Sequence, residues 1–352
     1  MSRDVSGWWR SPALAWLTRP LSTIYGAAAA RHRAAAGIHR VRLRQPVISV
    51  GNLVVGGAGK TPVVLALVRW LLDRGEYPAV LTRGYARTRP TDHVVIVRDA
   101  RGVRASLPES GDEPLLLARE LEGAAVLVSP ERARAGAQAE ELGCTIHVLD
   151  DGFQHVRLHR DLDLLLLTAA DLTSERVLPA GRLRERPEAA RAADAWLTDA
   201  DGLHALARLA PTYGVQHLFA MHRRLGPARS LGRGREATRP SRVALVSGIA
   251  RPERFAADAR EVGWNVVDHI VFEDHHVFST KDVGTIASRV VERQADAVLT
   301  TSKDAIRLEP LLPLPFPVLF APLVLSIEPQ VAFDDWLTRR LSEIRSAATR
   351  DA

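Results

Sequence analysis

Lysine is nearly missing from this 352-residue chain: it stands only at Lys60, Lys281 and Lys303, and every other basic side chain apart from histidine is arginine. Where lysine does occur is therefore informative. Cysteine is scarcer still, with Cys144 alone. One thiol excludes an internal disulfide or a cysteine-built metal cluster and fits a reducing cytosol, and Cys144 itself reads as a small buried hydrophobe. No apolar run reaches the roughly 18 residues of a membrane span, because Arg10 and Arg19 interrupt the best candidate. Nor does a continuous apolar core precede Ala27–Ala30 to make a cleavable signal. The remaining composition, 46% hydrophobic and 25% charged, is that of a globular chain long enough for two cores.

Aromatic residues are also few, at 5%, so Trp8, Trp9, Trp16 and Tyr25 form a local concentration. They share the opening segment with eight arginines against one aspartate in residues 1–50, a local +7 within a net charge of +6. Interfacial aromatics, aliphatic residues and arginines on one helix suit a helix lying on an anionic membrane surface; an amphipathic helix packed on the body of the protein is the other reading. Nucleic-acid binding is disfavoured, because the arginines interleave with apolar residues instead of forming an exposed basic stripe.

The chain is organised around Val54-Val55-Gly56-Gly57-Ala58-Gly59-Lys60-Thr61, which follows the apolar run Val47–Val50 and precedes apolar residues at helical spacing, Val63 to Leu72. Strand, glycine-rich loop and helix in that order make a phosphate cradle: the glycines let successive N–H groups point into one hollow, and the helix adds its positive dipole end. Lys60 would reach the outer phosphates and the Thr61 hydroxyl would be a Mg²⁺ ligand. Val54 occupies the place of the usual first glycine, so the motif is a near-match.

Further strands are expected at Ala79–Thr82, His93–Val97, Ala125–Val128, Thr145–Leu149 and Leu162–Leu167. Strands alternating with helices predict an α/β fold of the phosphate-loop NTPase type, a parallel sheet with helices on both faces. Asp150 and Asp151 end one strand where a phosphate-loop protein needs its second metal-holding carboxylate. Asp112 opens a helix and reads either as a cap or as a catalytic carboxylate. Leu178–Glu185 is a turn-rich loop that is either solvated or functional. Beyond it, strands at Val243–Ser247, Val266–Phe272, Ala297–Thr300 and Val318–Phe320 imply a second, smaller α/β unit carrying Asp274-His275-His276 and Ser302-Lys303-Asp304. The histidine pair lacks metal-ligand spacing and better fits proton handling. Lys303 beside Asp304 is equally readable as a structural ion pair. The division that follows is a surface helix region in 1–45, a phosphate-loop unit in 46–222, a linker in 223–240, a smaller lid unit in 241–328 and a terminal helix in 329–352.

Taken together, Gly51–Pro62, Leu81–Tyr85, Gly111–Pro114, Leu149–His155, Leu178–Glu185, Asp274–His276 and Ser302–Asp304 resemble, in order, the motifs of the tetraacyldisaccharide 4′-kinase family. The resemblance implies ATP- and Mg²⁺-dependent phosphorylation of the 4′-hydroxyl of an acylated glucosamine disaccharide 1-phosphate in lipid A biosynthesis. It implies a peripheral enzyme on the cytoplasmic face of the Gram-negative inner membrane, held by its opening helix and needing no obligate protein partner. It further implies Asp112 as base with His275 as dyad partner, Val54–Thr61 on the nucleotide, and Asp150, Asp151 and Thr61 on the metal. Arg83, Tyr85, His155, Arg184 and Glu185 would line the cleft. Two rivals are a phosphate-loop kinase for a soluble metabolite and a nucleotide-switched module acting on a partner protein. The first predicts no lipid or detergent dependence; the second leaves Asp112 and His275 without a task, and no guanine-reading motif supports it.

Overall fold

The structure, a computed structural model, describes residues 15–36, 40–57, 59–84, 87–89, 91–232 and 240–350. Trp8 and Trp9, the side chain of Trp16, Ala58 and Tyr85 lie outside the described residues. Among the described residues the large sheet begins with β1 (Val47–Asn52), β2 (Pro78–Thr82), β3 (Val95–Asp99), β4 (Gly102–Val103) and β5 (Ala125–Val128). It continues through β6 (Ile146–Asp150), β7 (Leu162–Leu166), β8 (Ala195–Asp199) and β9 (His217–Leu225). The second sheet holds β10 (Arg229–Ser230), β11 (Val243–Ser247), β12 (Val266–Val271), β13 (Ala297–Thr301) and β14 (Val318–Ala321). A last strand, β15 (Leu323–Glu328), returns to the first sheet.

The large sheet is ordered β15-β9-β8-β7-β1-β6-β2-β5-β3-β4, parallel from β9 through β5 and antiparallel at both edges. Strand β1 sits between β6 and β7, and the chain builds outward from it in both directions. That reversal leaves a crevice at the carboxyl ends of β1, β6 and β7, the place where open α/β sheets bind ligands. β1, β2, β5, β6 and β7 are buried along their whole length, as both-faced burial demands of Val-, Leu- and Ile-rich parallel strands. The helix Lys60–Leu72 buries Val63, Val64, Leu67, Val68 and Leu71 against this core. The smaller sheet, β10-β14-β13-β11-β12, is parallel apart from its β10 edge.

Two boundaries differ from the sequence reading, while the final helix falls where it was expected. β8 and β9 are additional strands, and β9 carries Arg223 and Arg224 within its ladder before the chain leaves at Leu225, so the linker does not begin at Arg223. β15, read with the smaller unit, pairs antiparallel with β9 across the whole run Leu323–Glu328. The final helix, Gln330–Arg350, buries Phe333, Trp336, Leu337 and Leu341 in the core of the large sheet, with Phe219 of β9 packed edge-on against Phe333. The physical reason is shared: β9 and β15 are strands because they pair with each other, and that pairing joins segments far apart in the chain, which no local pattern reports.

One close approach fixes the crevice. A Cβ on Gly51 would stand 2.8 Å from the Phe153 backbone nitrogen, so only glycine lets the turn after β6 lie on β1. Gly51→Ala is expected to cost about 1–3 kcal/mol by overpacking, read as a lowered thermal-unfolding midpoint with the turn carrying Asp151 displaced.

Candidate active site

The phosphate loop leaves the carboxyl end of β1 with Gly56 at φ 99° and Gly59 at φ 80°, conformations that glycine adopts without steric penalty. Helix Lys60–Leu72 starts directly after Gly59, so its unpaired N–H groups face the crevice. The Lys60 ammonium donates to Asn52 Oδ1 at 3.0 Å and lies 3.3 Å from Asp151 Oδ1. The Leu178–Glu185 loop is not merely solvated. Val55 N–H donates to Arg182 O at 2.8 Å and Arg184 N–H to Leu53 O at 2.7 Å, so this loop backs the phosphate loop. Arg184 then reaches Asp151 at 2.8 Å and Gln154 at 3.1 Å. Glu185 accepts from Arg33 of the helix Ala15–Ala36 at 2.5 and 2.8 Å, tying that helix to the site.

A cleft of about 1380 Å³ opens here, lined by the phosphate loop, Lys60, Thr61, Arg83, Asp150, Asp151, His155, Arg184, Glu185 and His275. Arg132 also lines it, 3% exposed. His155 stands among positive neighbours: burial, then Arg132, Arg160, Arg157 and Arg83, push its imidazole down to about 4. A neutral histidine within an arginine group is suited to an anionic ligand.

Asp150 and Asp151 share a strand end but not an environment. Burial raises Asp151, yet Lys60 and Arg184 outweigh it and hold the carboxyl below its ordinary range. Asp150 is 4% exposed and its hydrogen-bond donor is the Thr82 hydroxyl at 3.4 Å. Burial and the Glu113 charge push Asp150 up to about 6, against the pull of Lys60. A buried carboxylate held against its own ionisation fits a site that a hard dication would complete, and Thr61 lines the same cleft wall. Among the described residues, however, no group of three or more acidic, histidine or cysteine side chains forms a ready metal cage.

Asp112, 5% exposed, opens the helix Asp112–Glu120 behind this wall. It does not cap that helix by a distant reach: its Oδ1 accepts from the next backbone N–H, Glu113, at 2.9 Å, while Oδ2 faces the smaller unit. There His275 Nδ1 lies at 3.1 Å and Arg307 donates through Nε at 3.0 Å and through Nη2. Burial raises Asp112, but the His275 hydrogen bond and the Arg307 guanidinium prevail and hold it well below the carboxylate range. The hydrogen bond to Asp112 in turn raises His275, with burial opposing. Lys303 pairs with Glu113 across the two units, and Asp304 pairs with Arg307 at 3.0 Å, so the adjacent Lys303 and Asp304 have different partners.

Arg307, Glu113, Asn52 and Arg33 were not singled out by the sequence reading. Only Arg307 carried a signal: three residues after Asp304 on a helix, it shares that residue's face.

Parallel sheet, phosphate loop, Lys60, paired aspartates and His275 in one cleft, with Asp112 bonded to His275 from behind the wall, define a phosphoryl-transfer enzyme of the phosphate-loop class. The tetraacyldisaccharide-1-P 4′-kinase family, LpxK, matches residues 14–342. A tetraacyldisaccharide 4′-kinase of Anaeromyxobacter dehalogenans strain 2CP-C is 39% identical over 331 residues, covering 87% of this chain and 86% of the relative. Another, of Geobacter metallireducens, is 40% identical over 286 residues, covering 79% and 83%. Among solved structures, LpxK of Aquifex aeolicus in complex with ATP superposes with a TM-score of 0.72 at 28% identity, covering 92% of this chain and 98% of that one. The chain belongs to the tetraacyldisaccharide 4′-kinase family. It is accordingly an ATP-dependent kinase that phosphorylates the 4′ position of a tetraacyldisaccharide 1-phosphate in lipid A synthesis.

Proposed function

We propose that the transfer runs between the phosphate loop and the Asp112–His275 pair, with the sugar 4′-hydroxyl brought to that pair and the triphosphate laid on Gly56–Thr61. The observation that carries this reading is the 3.1 Å contact of His275 Nδ1 with Asp112 Oδ2, a proton-handling couple next to the phosphate cradle. Phosphoryl transfer asks mainly for positioning and charge neutralisation. Lys60 and the loop N–H groups meet the outer phosphates; Asp112 accepts the hydroxyl proton or orients it, with His275 sharing the load. Asp150, Asp151 and Thr61 would hold Mg²⁺, which when bound neutralises phosphate charge. Arg83, His155 and Arg184 contribute to the cleft, whereas Glu185 acts through Arg33. Transfer of labelled γ-phosphate from ATP to a tetraacyl disaccharide 1-phosphate in mixed micelles tests the assignment; label appearing only as inorganic phosphate would defeat it.

The opening helix, on this reading, carries the protein to its lipid on the cytoplasmic face of the inner membrane. Two faces of Ala15–Ala36 support both uses considered from sequence. Tyr25, Ala28, Ala29, His32 and Arg33 border the cleft, and Ser22 Oγ accepts from Ala180 N–H at 2.9 Å. Leu21 and Ile24 are 53% and 66% exposed, three residues apart on the same helix. No helix of the described residues is long and apolar enough to cross a membrane. Changing Leu21 or Ile24 to Glu is expected to weaken sedimentation with anionic vesicles by roughly tenfold each, from about 1.5 kcal/mol of lost apolar insertion. Unchanged sedimentation would place the membrane contact elsewhere.

A further inference from the structure

We propose that Arg307 is a positioning residue for the transfer: it delivers His275 and Asp112 to each other, so that the pair is assembled only when the smaller sheet is seated on the Asp112 helix. The inference rests on the reading of Asp112 and His275 as the proton-handling pair.

Arg307 is 7% exposed, and each of its three guanidinium nitrogens is engaged. On the side of the smaller unit, Nη1 donates to Gly248 O at 2.8 Å and to Asp304 Oδ1 at 3.0 Å. Toward the large unit, Nε and Nη2 fork onto Asp112 Oδ2, and Nη2 lies 3.2 Å from His275 Nδ1. His275 is fixed to the same block, because its N–H donates to Gly248 O at 3.1 Å, and Gly248 N–H donates to Asp304 Oδ2 at 3.1 Å. Gly248, His275, Asp304 and Arg307 thus form one hydrogen-bonded piece that meets Asp112 as a unit. A planar fork pinned at one end, with two donors converging on one carboxylate oxygen at the other, sets direction as well as charge, which a point charge does not.

The same arrangement sets the charge state of the pair. The groups facing it are Arg307, Asp304 and Lys303 from the helix Ser302–Leu308, Asp274 beside His275, and Glu113 beside Asp112. The Arg307 charge favours ionised Asp112 and opposes protonated His275. Removing it raises both groups, so the pair accepts a proton from solvent at higher pH and is lost to catalysis sooner as pH falls.

The test compares Arg307→Met and Arg307→Lys with the parent for kcat, KM for ATP and the pH profile of lipid phosphorylation, on samples whose ATP binding is titrated. Arg307→Met is expected to lose kcat by about 100-fold or more with KM for ATP little changed. Its acid limb should move up by about one pH unit. Arg307→Lys should return the limb to its parental position while recovering only part of kcat. Parental kcat in Arg307→Met, or a lowered profile with the limb unmoved, overturns the proposal. If the methionine variant no longer binds ATP, Arg307→Lys decides: reduced kcat with an unmoved limb supports positioning, and parental kcat overturns it. Asp112→Asn and His275→Ala run alongside separate the two readings. Parental turnover in those variants defeats the proton-handling pair itself, whereas their loss beside a parental Arg307→Met defeats only the role of Arg307.

Discussion

Asp112→Asn is expected to lower turnover by about 10³-fold while leaving ATP affinity nearly unchanged, within the usual range for removal of a general base. The carboxyl is turned toward His275 and Arg307 and is not among the residues lining the cleft with the phosphate loop, so nucleotide contacts do not pass through it. Asparagine keeps the shape and the Oδ1 bond from Glu113 N–H but cannot take a proton. The γ-phosphate transfer assay gives the first number and a nucleotide titration the second; near-parental turnover would end the assignment. The same variant has a pH signature in stability. Asp112 is held below its unfolded value, so its ion pair contributes stability above the unfolded pKa of about 4 and loses it as pH falls toward the folded value. The gap in melting temperature between parent and Asp112→Asn is therefore widest near neutrality and narrows in acid.

Lys60→Ala is expected to act on the nucleotide instead, lowering kcat/KM for ATP by about 10²- to 10³-fold, the scale of a lost charge-stabilising donor. Its ammonium is held between Asn52 Oδ1 and Asp151 Oδ1, 13% exposed, and therefore aimed before any phosphate arrives. Arg184 remains on Asp151 in the variant, so the turn after β6 keeps a partner and the fold survives. Lys60→Arg should not rescue, because a planar fork cannot occupy the place of a compact ammonium at the head of the helix. Steady-state kinetics in ATP check both variants; a normal KM for ATP with only kcat reduced would assign Lys60 to the transfer step alone.

Much of this site could be read along the chain because its parts are local. Glycines at Gly56 and Gly59, Lys60 at a helix start, and paired aspartates after an apolar strand each use a short stretch whose chemistry follows from spacing. Asp112 at a helix start was legible as a candidate, but its two readings, cap or carboxylate aimed elsewhere, differ only in what lies 163 residues away at His275. The Leu178–Glu185 loop was undecided for the same reason: its backbone bonds go to Leu53 and Val55, which no local pattern can report. Strand β9 escaped because an apolar stretch ending in the Arg223-Arg224 pair looks like the start of a linker until β15 is laid beside it.

The amino-acid sequence by itself determined the strand–loop–helix cradle, the parallel α/β architecture, the two-sheet plan and the order of motifs that resembles one family. All of these depend on periodicity and on residue types within one turn or strand. Tertiary structure alone decided which charges meet. It joined Lys303 to Glu113 and not to Asp304, set Arg307 between Asp304 and Asp112, and gave adjacent Asp150 and Asp151 opposite shifts. The reason is that a charge's partner and its desolvation are fixed by the surfaces that fold against it, and those come from both sheets at once.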